Sequence, residues 1–373
     1  MLCTRNYFMS KKKVLVFNLT TRGGMLHYSS QFCNELAKTH QVTAVVASYY
    51  TWTLYDDIVT LFKIRTNPSL WSFVLDSLLF WHHISLLLKI KKYKPDIVHI
   101  MDNHPWYPFY VRLCRRMWYT IYVTQHDPIL HSGETQTLLG KVAAWVNTVL
   151  RRRSDKLIVH GDKLKEEVIS MYKFPSDKIV SVPHGNYTFF TKWAKWAKPK
   201  KNHFLFFGRI LAYKWLDVLL ASLALVKERI PDFVLIIAGN GDLTSYDPLL
   251  ATYKDNIALY HYDIPEDEVY LYFEQSAFVV LPYKDATWSG IIPVAYAFGK
   301  PVITTNVGEL STHVQAGETW FVVEPNNPQQ LAEKIILLLE DTTLVTTLWA
   351  HAFSYAQSHL SWTPIVDKIY WAS

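Results

Sequence analysis

The chain has 373 residues, 50% of them hydrophobic and 19% charged, which excludes bulk disorder and, at 13 Gly and 17 Pro, a collagen-like or linker-dominated chain. A single core stops growing near ~250–300 residues, so the length predicts two domains. The net charge of +6 is uneven: residues 1–190 carry 24 Lys+Arg against 13 Asp+Glu, and residues 191–373 carry 14 against 19, so an anionic partner is expected on the first half.

Met1 to Ser10 lacks the apolar core of a secretory signal, and Val14–Leu19 behind Lys11–Lys13 is too short to supply one. The three cysteines, Cys3, Cys33 and Cys114, are too few for a disulfide framework and lack metal-ligand spacing, so a reducing, cytoplasmic location is expected. Val14–Leu19 reads as the first strand. Gly23-Gly24 forms a turn, a helix follows over about Tyr28–Lys38, and Val42–Val46 is the next strand, making a βαβ unit. Leu70 to Ile90 is strongly apolar, but Asp76, His82 and His83 argue against a membrane span. Its helical periodicity (Leu70, Phe73, Val74, Leu78, Trp81) predicts a buried domain helix. Asp96–Ile100, Tyr119–Thr124 and Lys156–His160 are non-alternating apolar runs, as parallel strands covered on both faces require.

Residues 191–202 hold five lysines and little periodicity and read as a linker after a first domain over 1–190. A second series follows over 203–358. It contains strand Phe204–Phe207 with Gly208-Arg209, helix Lys214–Arg229, strand Phe233–Ala238 with Gly239-Asn-Gly241, and strand Ala277–Leu281. Helix Ile292–Phe298 and strand Pro301–Thr304 complete it. Residues 359–373 read as a C-terminal helix that could pack back on the first domain. The expected class is α/β: two doubly wound parallel-sheet domains of Rossmann type facing a cleft.

The ordered motifs Phe207-Gly-Arg209, Tyr213-Lys214, Leu216-Asp217, Ile237-Ala-Gly239-Asn-Gly241, Val279-Val-Leu-Pro282, Ala295–Val302, Thr305-Asn-Val-Gly308 and Leu360-Ser-Trp362 resemble those of family 4 nucleotide-sugar glycosyltransferases, which have the GT-B fold. The resemblance covers roughly 14–370 and is strongest over 204–325. In the first half, Gly23–Tyr28, Thr124–Pro128 with His131–Glu134, and Pro183–Tyr187 resemble a subset of that family with an Ala-Thr-x-Ser-Gly loop.

The resemblance implies a retaining transferase in polysaccharide or glycoconjugate biosynthesis. Its partners are a nucleotide-sugar donor and a glycan or lipid-linked acceptor, and no cofactor or metal is expected. Breaking the anomeric carbon–oxygen bond leaves a charged diphosphate, which fixed cations and amide donors stabilise. Arg209 and Lys214 match the family's diphosphate-stabilising pair, and His126 matches the histidine that hydrogen-bonds the donor sugar. Gly24, Gly239, Asp285, Thr287, Ser289 and Gly290 are the expected donor-binding positions. His27, His131 and Glu134 are the expected acceptor-side groups. The sequence departs from the family where its two glutamates stand: here these are Ala286 and Val294. Asp285 is the nearest carboxylate, and Trp215 replaces a usual glycine.

Other readings are weaker. Gly23-Gly24 is not G-x-G-x-x-G and no acidic residue ends the next strand, which disfavours a nicotinamide dehydrogenase. Asp56-Asp57 does not follow a strand, as a metal-binding Asp-x-Asp site would. His126, His131 and Glu134 lack further zinc ligands. No pyridoxal-binding lysine context supports a phosphorylase. The missing glutamates leave open a non-catalytic nucleotide-sugar-binding or scaffold subunit. Finally, basic clusters at Lys89, Lys91, Lys92 and Lys94, at Arg112, Arg115 and Arg116, and at Arg151–Arg153 lie near Trp106, Trp118 and Trp145. They predict peripheral docking on an anionic membrane; no nucleic-acid motif accompanies them, so no nucleic acid is expected.

Overall fold

The computed structural model describes residues 11–20, 23–48, 54–66, 70–126, 128, 137–286, 288–311 and 320–371. They form two compact units. The first takes in the chain up to Val159, Phe174–Val180 and the stretch from Trp362; the second takes in His160–Lys173 and Ser181–Ser361.

The first series runs β1 (Lys13–Phe17), α1 (Gly24–Ala37), β2 (Gln41–Ala47), β3 (Thr60–Ile64), α2 (Leu70–Leu78) and α3 (Phe80–Tyr93). It continues with β4 (Ile97–Ile100), α4 (Tyr107–Arg116), β5 (Thr120–Thr124), α5 (Leu138–Arg153), β6 (Lys156–His160), α6 (Asp162–Tyr172) and β7 (Ile179–Val182). The seven strands lie in the order β3-β2-β1-β4-β5-β6-β7. β1 pairs in parallel with β2 on one side (Val14 with Val42) and with β4 on the other (Val14 with Ile97). Val14–Phe17 and Ile97–Ile100 are wholly buried, the consequence of a parallel sheet covered on both faces.

The second series is β8 (His203–Phe207), α7 (Leu216–Arg229), β9 (Val234–Ala238), α8 (Asp247–Thr252), β10 (Ile257–Tyr260), α9 (Val269–Gln275) and β11 (Phe278–Leu281). α10 (Ile291–Ala297), β12 (Val302–Thr305), β13 (Trp320–Val323), α11 (Pro328–Glu340) and α12 (Thr342–Ser358) follow. Its six strands order as β10-β9-β8-β11-β12-β13, all parallel. The core of this unit packs Phe204 flat on Phe278, centroids 5.4 Å apart, with Leu219, Leu220 and Leu223 of α7. A last helix, α13 (Trp362–Tyr370), belongs to the first unit. Its Trp362 meets Tyr28 of α1 edge-on at 5.0 Å, and its Tyr370 hydroxyl is 2.8 Å from Nδ1 of buried His99 in β4.

Three local expectations change. α1 starts at Gly24, four residues before the periodicity indicates, behind Gly23 at φ 72°. The stretch expected to be linker, 191–202, opens inside a 3-10 turn that runs over Thr188–Trp193. The expected single buried helix over Leu70–Ile90 is two helices, broken where Leu79 leaves helical backbone geometry (ψ 71°), and, Phe73, Leu86 and Ile90 apart, its apolar stripe faces outward: Trp71 is 81% and Trp81 79% exposed. Among the described residues, no single helix is long and apolar enough to cross a membrane.

Candidate active site

In the second unit the predicted donor-side residues Arg209, Lys214, Gly239, Asp285, Ser289 and Gly290 follow the carboxyl ends of strands. β8 ends in Gly208, at φ 96°, and the chain then turns through exposed Arg209 to buried Lys214. The Lys214 ammonium lies 5.4 Å above the ring of Tyr283, which follows β11, and a side chain at Gly208 would bring Cβ within 3.1 Å of Nζ. Burial, and then the charge of Arg209, lower the Lys214 pKa from 10.5 to about 7. The protein therefore holds a poorly solvated amine whose charged form is disfavoured. Trp215, in the position where the family carries glycine, takes a left-handed backbone (φ 47°) that glycine adopts without strain. Lys284 Nζ sits 5.9 Å from its indole.

Gly239 ends β9 at φ 150°. A Cβ there would meet the Gly208 carbonyl oxygen at an impossible 2.1 Å, so this glycine allows the β9 and β8 turns to close on each other. The Gly208 amide donates to the Ala238 carbonyl at 2.9 Å, and the Ile210 amide to Asn240 at 2.8 Å. The two turns thus form one hydrogen-bonded piece through the residues on either side of Arg209.

Ser289 is buried before the first turn of α10. Its hydroxyl accepts from the Ile291 amide at 3.3 Å and donates toward the Tyr283 hydroxyl at 3.4 Å. Gly290 packs 3.6 Å, measured from an added Cβ, from the ring of Tyr187. Asp285 is half-buried; Ala286 and Val294, where the family's glutamates would stand, are buried and apolar. Thr287 lies outside the described residues. Trp288 stacks on His184 at 5.8 Å, and His184 is 5.0 Å from His160.

In the first unit, His126 follows β5, half-buried, and meets buried Tyr28 edge-on at 4.6 Å. Gly24 opens α1, and His27 is buried one turn further on. His131 and Glu134 lie outside the described residues.

Two residues not singled out by motif shape these surfaces. Asp102, just beyond β4, accepts from the Leu19 amide (3.1 Å), the Thr20 amide (2.8 Å), the Thr20 hydroxyl (2.7 Å) and the Tyr107 hydroxyl, so it fixes the turn leaving β1. Burial raises its pKa, and these donors oppose the rise. Buried Glu309 accepts from the Leu164 amide at 2.6 Å and caps α6, where Gly161 (φ 110°) leaves room for its carboxylate. A lone carboxylate after a strand has no sequence signature, so neither could be read in advance.

The basic clusters divide. Lys89, Lys91, Lys92, Lys94, Arg112, Arg116 and Arg152 are exposed. Arg151 is buried and donates to Gln125 at 3.1 Å, and Arg115 pairs with Asp155. Trp106 is buried, its indole donating to Ser77 at 2.8 Å, while Trp118 and Trp145 are exposed.

Comparison with known proteins agrees with this architecture. The family described as "Glycosyltransferase Family 4" matches residues 22–186, and that described as "Glycosyl transferases group 1" matches 201–341. A D-inositol 3-phosphate glycosyltransferase of Arthrobacter sp. is 28% identical over 200 residues, 50% of this chain and 48% of that protein, so the match spans about half the length of that relative. Sucrose-phosphate synthase of Thermosynechococcus elongatus superposes with a TM-score of 0.73 at 18% identity, covering 95% of this chain and 96% of that one. HepE of Anabaena in complex with UDP superposes with a TM-score of 0.71 at 14% identity, covering 97% and 99%. These likenesses and the two six- and seven-stranded parallel sheets make one assignment: the chain belongs to the family 4 glycosyltransferases and has the GT-B fold.

Proposed function

We propose that the protein transfers a sugar from a nucleotide-sugar donor to a glycan or lipid-linked acceptor with retention of anomeric configuration, in polysaccharide or glycoconjugate biosynthesis. The observation that carries this reading is Lys214, a buried lysine beside Arg209 at the carboxyl end of β8 with its pKa lowered to about 7. Such a cation gains most when a diphosphate enters, because the ligand replaces solvation that the protein withholds. Arg209 adds a forked grip on phosphate oxygens. Ser289, Gly290 and Thr287 precede α10 and are assigned to the same diphosphate, with Gly239 and Asp285 on the donor side. HepE, with the same fold, binds UDP.

His126 in the first unit is assigned to the transferred sugar, Gly24 to the donor, and His27, His131 and Glu134 to the acceptor side. In the reaction the bond from the anomeric carbon to the phosphate oxygen breaks, and a bond to the acceptor oxygen forms on the same face. The acceptor proton passes to the leaving phosphate, so no enzyme nucleophile, metal or cofactor is needed. Buried free thiols at Cys33 and Cys114 fit a reducing, cytoplasmic setting.

A second reading is a non-catalytic nucleotide-sugar-binding subunit of a glycan-assembly complex. It is favoured by one observation, the apolar Ala286 and Val294 in place of two carboxylates. Purified protein offered a panel of nucleotide sugars separates the two. Release of nucleoside diphosphate that accelerates with acceptor supports transfer; tight nucleotide binding with no release across the panel refutes it.

A further inference from the structure

α2 and α3 are amphipathic in reverse. On α2 the residues turned inward are the aromatic and polar ones: Phe73 stacks on Trp106 at 5.6 Å, Ser77 accepts from the Trp106 indole, and Asp76, only 2% exposed, pairs with Arg65 at 2.8 Å. On α3 His83 reaches the Tyr110 hydroxyl at 2.6 Å, and Leu86 and Ile90 are buried. The opposite faces carry Trp71, Val74, Leu75 and Leu78 on α2, and Trp81, Ile84 and Leu88 on α3, all exposed. These are i, i+3, i+4, i+7 spacings, the stripe a helix normally buries. On α3 the stripe runs on into basic residues, because Lys92 lies eleven residues, three helical turns, beyond Trp81, flanked by exposed Lys89 and Lys91.

We propose that this α2–α3 face is a docking surface for an anionic lipid bilayer, with its tryptophans and leucines in the interfacial layer and its lysines at the headgroups. Three features on the face select that occupant. Tryptophan with leucine on one side of a helix, and lysine at its end, is the pattern of a helix lying in a membrane interface. Residues 58–95 hold six Lys+Arg and one acidic residue, Asp76, which is turned inward and pairs with Arg65, so Lys63, Lys89, Lys91, Lys92 and Lys94 meet no acidic residue within that stretch. A second copy of the chain would present the same acid-poor face and so no carboxylate to meet these lysines, whereas anionic headgroups do meet them. The inward anchors through Trp106, Tyr110 and Arg65 hold the stripe in place before any partner arrives. Docking of this kind is independent of the transfer reaction and would stand without it.

The test is co-sedimentation of the full chain with vesicles of phosphatidylcholine alone and with one quarter phosphatidylglycerol. The wild-type protein should bind the anionic vesicles at low salt and bind them at least tenfold more weakly at high salt. Trp71→Ser with Trp81→Ser should lower the partition by roughly 30-fold or more, from the loss of two buried aromatic side chains. Lys89→Glu, Lys91→Glu and Lys92→Glu together should erase the preference for anionic lipid, since each lysine contributes about fivefold. All these side chains are exposed, so thermal melting should be unchanged. UDP binding, measured by calorimetry on the same variants, should also be unchanged, which keeps a failure of docking distinct from a failure of the transferase reading. Absence of wild-type binding to the anionic vesicles overturns the proposal, as does equal binding by the tryptophan variant. Light scattering that shows a dimer halved in mass by that variant overturns it in favour of a second copy.

Discussion

Replacing Lys214 by methionine should stabilise the protein and inactivate it together. A fall in the lysine pKa from 10.5 to about 7 corresponds to roughly 5 kcal/mol in favour of the neutral amine. At pH 7 the unfolded chain carries a full charge here and the folded chain about half, so ~4 kcal/mol of that cost falls on the folded state. Relaxation and water entry around a buried charge remove about half, leaving ~2 kcal/mol that Lys214→Met recovers. The cation–π contact with Tyr283, at 5.4 Å, offsets less than ~1 kcal/mol of this. For a unit of about 200 residues the net gain of ~1–2 kcal/mol is a rise in Tm of roughly 2–8 °C. The pH dependence carries a sign. A lysine whose folded pKa is lowered binds fewer protons folded than unfolded between pH 7 and 10.5, so wild-type stability from this group rises with pH across that window. The methionine variant lacks that rise, and its advantage should shrink toward pH 10. Calorimetric melting at pH 7 and 9.5, with donor turnover on the same samples, reads both effects. A lowered Tm at pH 7, or retained turnover, would refute the reasoning.

Three further outcomes follow from the same geometry. UDP binding should take up a proton at pH 8, because the diphosphate raises the Lys214 pKa above about 7, and affinity should fall by up to tenfold per pH unit above that value; calorimetry in buffers of different ionisation enthalpy measures both. Gly239→Ala should destabilise the second unit by ~3 kcal/mol or more, since its Cβ would sit 2.1 Å from the Gly208 carbonyl, and should weaken UDP binding by displacing Arg209; denaturant melting and UDP titration check this. Asp102→Asn should cost about 1–3 kcal/mol and raise the acceptor KM more than the donor KM, because the turn after β1 loses its charged acceptor for three donors at Leu19 and Thr20.

The strands buried on both faces were legible as short apolar runs, and so was the β8 turn with Arg209 and Lys214, because strand end, glycine and cation follow one another in the chain. β3, β7, β10 and β13 were not: all four lie at sheet edges, Thr60–Ile64 carries a lysine and Ile257–Tyr260 is only partly buried. The α2–α3 stretch shows why periodicity alone misleads. It gives the width of an apolar stripe but not the direction in which it points, and here Asp76 with Arg65 reverses that direction. Trp215 was visible as a departure from glycine, while its left-handed backbone needed coordinates. Arg151 sits in a run of three arginines yet is buried on Gln125, a pairing across 26 residues that no local pattern contains.

The return of α13 to the first unit bears on how the chain is made. Tyr370 fills a site lined by Phe32, His99 and Tyr122, all in place once β5 is synthesised, yet residues 181–361 come off the ribosome before it does. At ~5–20 residues per second that interval is roughly 10–40 s. For that time the nascent first unit exposes an aromatic socket, and the neutral, deeply buried His99, its pKa held down to about 3 once folded, is open to protonation and water. Chaperone occupancy on a stalled ribosome should therefore persist until α13 emerges, long after the first sheet is complete.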